Sequence, residues 1–178
     1  LMIHEGAPGH HFQGSAQQLI EGVPLLRKVL PFGAYDEGWA LYAERVAKVD
    51  MGFYDADPLG DLGRLQAEMF RAVRLVVDTG MHAKRWSREQ SIEYMVARTG
   101  MPEAEVTREI ERYVVWPGQA ASYKVGQLAM LRLREQAEKE LGPKFDVRKF
   151  HTVILADGAL PLDVLEAKVD RWIAAQRG

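Results

Sequence analysis

Apolar residues recur along this chain at steps of three and four, the spacing of a helix face. Over residues 59–79 they fall at Leu62, Leu65, Met69, Ala72, Val73 and Val76, which predicts one apolar face of a helix. Ser87 starts another helix, with Glu89 and Gln90 in its first turn, and Gly100 stops it. Pro102-Glu103 opens the next, with proline at a tolerated first-turn position. Residues 119–141 form a long amphipathic segment that ends at Gly142-Pro143. Phe150, Val153, Ile154 and Leu155 predict a short helix closed by Asp157-Gly158. Pro161-Leu162-Asp163 leads into a last helix that carries Leu162, Leu165, Val169 and Trp172. No segment sustains period-two alternation with β-branched residues, and no repeat or low-complexity tract interrupts the pattern. The expectation is a mainly α single domain over residues 1–178.

Composition narrows the function classes. The 178 residues are 47% hydrophobic and 27% charged, with a formal net charge of −2. That balance gives no electrostatic reason to expect nucleic acid or an anionic membrane as partner. No run approaches the roughly 20 apolar residues of a membrane span. The chain has no cysteine, so neither disulfides nor thiolate zinc ligands are available. Cytoplasm and periplasm both fit that lack. The chain opens Leu1-Met2-Ile3 and reaches His4-Glu5 at once, without the charged segment or cleavage site of a signal peptide. A chemical motif with almost no scaffold before it predicts the C-terminal part of a longer protein, its cleft incomplete without an N-terminal part. Such a piece could pair with itself as a homo-oligomer to cover apolar surface.

The chemistry is concentrated in His4-Glu5-Gly6-Ala7-Pro8-Gly9-His10-His11. In an H-E-x-x-H helix two imidazoles four residues apart share a face and reach one zinc, and the adjacent glutamate polarises water. Here Pro8 stands where the second histidine would be. On an unbroken helix, six residues on from His4 is ~240° round and seven residues on is ~10.5 Å along the axis. Pro8 cannot continue a regular helix, because its ring clashes with the carbonyl of His4. A break at Pro8-Gly9 can bulge the chain and return a later histidine to the metal. Geometry alone leaves His10 and His11 open.

A third ligand is expected from a second, facing helix. In Ala34-Tyr35-Asp36-Glu37-Gly38-Trp39-Ala40-Leu41-Tyr42-Ala43-Glu44, Glu37 and Glu44 are seven apart and share a face. Glu37 is the candidate ligand, and Glu44 a partner that would orient a ligand imidazole. Zinc hydrolysis also needs a donor for the oxyanion, and His82 and Tyr123 are the candidates. Arg71 and Arg74 could bind a substrate carboxylate, but surface or interhelix pairing is the favoured reading. His151, among Phe150, Val153 and Ile154, reads as structural, and the four tryptophans read as anchors between helices.

At the His4–His11 stretch, and again at Glu37-Gly38-Trp39-Ala40-Leu41-Tyr42-Ala43-Glu44, the chain resembles the bacterial family called domain of unknown function 885. Arg74-Leu75-Val76-Val77-Asp78-Thr79-Gly80-Met81-His82, Ala121-Ser122-Tyr123-Lys124-Val125-Gly126 and Gly158-Ala159-Leu160-Pro161-Leu162-Asp163-Val164-Leu165 are similar to it too. The family is similar to helical zinc peptidases of the gluzincin type. The resemblance implies a zincin-like helical domain with the metal between two facing helices, His4, His10 and Glu37 as zinc ligands, and Glu5 as general base. It favours His10 over His11. The expected function is a zinc-dependent hydrolase that cleaves peptide or amide substrates. The rivals are a metal-stabilised helical scaffold without catalysis and a metal-dependent esterase.

Overall fold

Helix α4 (Gly33–Val49) and helix α8 (Gln119–Leu141) cross at a pair of glycines. A Cβ on Gly126 would collide with the Ala34 carbonyl oxygen, and one on Gly38 would lie 2.5 Å from the Gly126 Cα. Two helix backbones can touch only where neither carries a side chain. This crossing is the spine of a computed structural model that describes residues 1–177. Helices α1 (Met2–Glu5), α2 (His10–Gln18) and α3 (Leu25–Val29) precede it. Between the two spine helices lie α5 (Pro58–Lys84), α6 (Arg88–Thr99) and α7 (Glu103–Val115). A short 3-10 turn at Gly142–Lys144, α9 (Val147–Leu155) and α10 (Leu162–Arg177) follow. The described residues contain no strand, and no helix is long and apolar enough to cross a membrane.

The spine serves two cores. Tyr35, Trp39 and Tyr42 of α4 pack with Met130 and Leu133 of α8, Phe150 and Ile154 of α9, and Leu165, Val169 and Ile173 of α10. The second core joins Val73 and Val77 of α5, Ile92 and Met95 of α6, Val106, Ile110 and Tyr113 of α7, and Ala120 at the start of α8. Asp78, 2% exposed, ties α5 to α8 by accepting hydrogen bonds from the amides of Gly118 at 3.1 Å and Ala121 at 3.0 Å. These amides lie in and before the first helical turn, where backbone donors lack intrahelical partners.

The expected helices all form. Ser87 and Gln90 make a reciprocal capping box at the start of α6, and Gly100 ends it at φ 67°. One packing expectation is corrected. The apolar positions Leu62, Leu65 and Met69 on α5 are 61%, 48% and 52% exposed. The buried face carries Val73, Arg74, Val77 and Asp78 instead. A period of 3.6 identifies a helix, but here polar residues with specific partners take the inward face.

Candidate metal centre

Helices α1 and α2 are one helix interrupted by a bulge. The amide of Gly9 donates to the carbonyl of Ile3 at 3.1 Å, and the amide of Phe12 to that of Gly6 at 3.4 Å. Each bond reaches back six residues where a regular α-helix reaches four. Two extra residues are therefore absorbed between Gly6 and Gly9, and His10 takes the place relative to His4 that i+4 has on a continuous helix. Gly9 makes this possible: a Cβ there would collide with the carbonyl oxygens of both Ile3 and His4. The Trp39 indole N–H fixes the bulge to α4 by donating to the Pro8 carbonyl at 2.8 Å.

Opposite the bulge, α4 presents Glu37 and Glu44. His4, 3% exposed, places Nδ1 2.8 Å from the Glu44 carboxylate and Nε2 3.6 Å from Glu37 Oε2. His10 Nε2 lies 3.1 Å from the same Glu37 oxygen. One ligand atom each from His4, His10 and Glu37 falls within 4.8 Å of the others. Ligand atoms around a tetrahedral zinc with bonds of about 2.0 Å stand roughly 3.3 Å apart. The donor set and its spacing thus fit that ion. His4 turns Nδ1 to Glu44 and Nε2 toward Glu37 and His10, the arrangement of a carboxylate-oriented imidazole. Gln13 of α2 braces the pair of helices by donating to Asp36 at 2.8 Å.

Burial would raise the Glu37 carboxyl, but hydrogen bonds from His10, His4 and Tyr123 outweigh it and hold it at about 2. Burial would lower His4, and its bonds to Glu37 and Glu44 overcome both that and the repulsion of Arg71, so it is raised.

The other sequence-predicted residues separate clearly. Glu5 follows His4 directly and is exposed. His11 is exposed and is not among the converging side chains; with His10, Gly14, Ser15 and Gln18 it lines a shallow surface hollow. Tyr123 stacks on His4 with ring centroids 6.1 Å apart, and Gln119 donates to its hydroxyl at 3.2 Å. His82 is not brought to the cluster. Its Nε2 lies 3.0 Å from the Tyr113 carbonyl and 3.5 Å from Asp78, at the junction of α5, α7 and α8. It sits eight residues beyond Arg74, about 12 Å further along α5. His151 lies 2.8 Å from the Tyr42 hydroxyl and edge-on to Trp39. Gln119 escaped the sequence reading. It braces Tyr123 and accepts from Arg74 and Arg112, and no spacing or motif marks it.

Comparison with solved structures finds close likenesses. A crystal structure from Colwellia psychrerythraea, described as that of a putative lipoprotein, is 56% identical with a TM-score of 0.94, over 97% of this chain and 29% of that one. A protein from Shewanella oneidensis, described as a putative lipoprotein of unknown function, is 27% identical with a TM-score of 0.85, over 93% of this chain and 30% of that one. This chain therefore spans less than a third of the length of either relative. A comparison with curated proteins finds no match. The family model for bacterial proteins of unknown function, DUF885, matches residues 1–169, and the chain belongs to that family.

Proposed function

We propose that this chain carries the metal site of a zinc-dependent hydrolase, a peptidase in its main activity. The observation that carries this reading is the convergence of His4, His10 and Glu37, with His4 oriented by Glu44. A zinc ion held there would supply Lewis acidity toward a substrate carbonyl and make a neighbouring water acidic. Glu5, exposed and next to His4 in the sequence, is the candidate to accept the proton of the attacking water and deliver it to the leaving amine. The Tyr123 hydroxyl, held by Gln119, is the candidate donor to the oxyanion, a role His82 is too distant to fill. A structural zinc site is closed by four protein ligands, whereas three side chains converge here, which favours catalysis over a scaffold role. A site this small would serve an ester as well as an amide. The two relatives are described as putative lipoproteins, which favours the cell envelope over the cytoplasm for this protein as well.

The test is elemental analysis together with activity of the full chain on a mixed peptide library. The reading expects about one zinc per chain and cleavage that disappears in Glu5→Gln while the zinc stays. Zinc-loaded protein that cleaves neither peptides nor esters would return the site to a scaffold role.

A further inference from the structure

Arg71 and Arg74 stand one turn apart on α5, and neither forms an ion pair among the described residues. Arg71 donates to the Ala67 carbonyl at 3.3 Å, and Arg74 to the neutral Gln119 side chain at 3.1 Å. The Nε atoms of both are buried without a hydrogen-bond partner. Both guanidinium groups lie over the Tyr123 ring, with Cζ 4.2 Å from its centroid for Arg74 and 6.0 Å for Arg71. The same ring stacks on His4. Two cations are therefore separated from the metal cluster by a single aromatic side chain.

A desolvated guanidinium without a counter-charge is costly, and an aromatic face compensates it only in part. The nearby carboxylates are already engaged. Glu37 and Glu44 hold the histidines, Glu109 holds Arg112 and Tyr113, and Glu68 holds Arg64 and Lys124. Glu109 already lies in the field of Arg74, so the arginine left without an anion among the described residues is Arg71. An arginine fork matches a carboxylate. Arg74, 3% exposed, is too buried to meet a ligand and adds positive potential from behind, whereas Arg71 is only partly buried.

We propose that Arg71 receives the free carboxylate of the substrate, so that the preferred substrates are peptides cleaved close to their C-terminus. This rests on the hydrolase reading above. With the carboxylate on Arg71, a peptide bond near the end of the substrate lies over the cluster, because each extended residue spans at most ~3.6 Å.

The probes are an N-blocked dipeptide acid and its C-terminal amide, titrated calorimetrically into the full chain carrying Glu5→Gln, so that neither is consumed. The acid should bind at least about tenfold tighter, the effect of one charge-assisted hydrogen bond. Arg71→Ala should abolish the preference and Arg71→Lys should retain part of it. Equal affinities for acid and amide overturn the proposal, and that comparison needs no Arg71 variant. Two outcomes in the protein with Glu5 intact separate the claims. An acid preference in binding without hydrolysis of either peptide keeps the carboxylate site and removes the hydrolase. Hydrolysis of acid and amide with equal kcat/KM keeps the hydrolase and removes the role of Arg71.

Discussion

The amide of Gly9 hydrogen-bonds the carbonyl of Ile3, six residues back, and this one bond sets the phase of the helix that follows. Any side chain at Gly9 collides with the His4 and Ile3 carbonyls. Gly9→Ala must therefore open the bulge or tilt α1 away from α2. We expect a loss of a few kcal/mol of stability, in the range typical of backbone overcrowding, and a large loss of zinc affinity. Gly14 is the control, since it lies in α2 with nothing within 4 Å of an added Cβ. Gly14→Ala should gain up to ~1 kcal/mol from helix propensity. Thermal melts and a zinc titration of both variants decide it. Equal behaviour would mean that the bulge does not govern the site.

The same phase separates the adjacent histidines. His10 lies 3.1 Å from Glu37, while His11 is exposed. His10→Ala should abolish zinc binding, and His11→Ala should leave it within a few-fold of the unsubstituted protein. The reverse result in a competition titration would shift the ligand by one residue.

How far these features were legible differs from residue to residue. His4, Glu5, Glu37 and Glu44 stood out because their spacing is fixed within short helical stretches. The choice between His10 and His11 was not open to phase arithmetic, because the number of residues a bulge absorbs depends on hydrogen bonds across Gly6–Gly9. His82 lies apart from the cluster, its ring turned to Tyr113 and Asp78 near the far end of α5, because direction along a long helix is invisible in a local pattern. The inward face of α5 was also misread. Arg74 and Asp78 are buried by the partners they find on α8, and residues more than 40 positions away leave no periodic signature.

Glu44 touches no metal ligand atom, yet it holds Nδ1 of His4 at 2.8 Å in a site 7% exposed. Its removal should let the imidazole turn and lower its basicity. Glu44→Gln keeps a hydrogen-bond acceptor and should weaken zinc binding by about tenfold, with Glu44→Ala near a hundredfold. The expected signature is retained stoichiometry with reduced affinity in a chelator competition. Unchanged affinity in Glu44→Ala would make the contact incidental.

The metal-free protein should show a stability optimum set by the same cluster. The Glu37 carboxyl lies at about 2 in the fold against an ordinary 4.5. Between those values the unfolded chain binds more protons than the folded one, so this contribution is complete above pH 4.5 and fades as the pH falls toward 2. His4 behaves in the opposite sense. Its folded value is raised above 6.5, so its contribution is complete below pH 6.5 and is lost as the pH rises through the folded value. Together they favour the window from pH 4.5 to 6.5, with Tm declining on both sides. Glu37→Gln removes the share of the acid-side decline that Glu37 contributes beside lowered carboxylates such as Glu68 and Glu109, and it also weakens the basic-side one, because His4 then loses one of the two carboxylates that hold its proton. Zinc reverses the basic limb: it needs the unprotonated imidazoles, so its stabilisation should grow as the pH rises through the value at which His4 releases its proton. Melting curves from pH 3 to 8, with and without zinc, would test both limbs, and parallel curves for the protein and Glu37→Gln would show that the cluster does not control either.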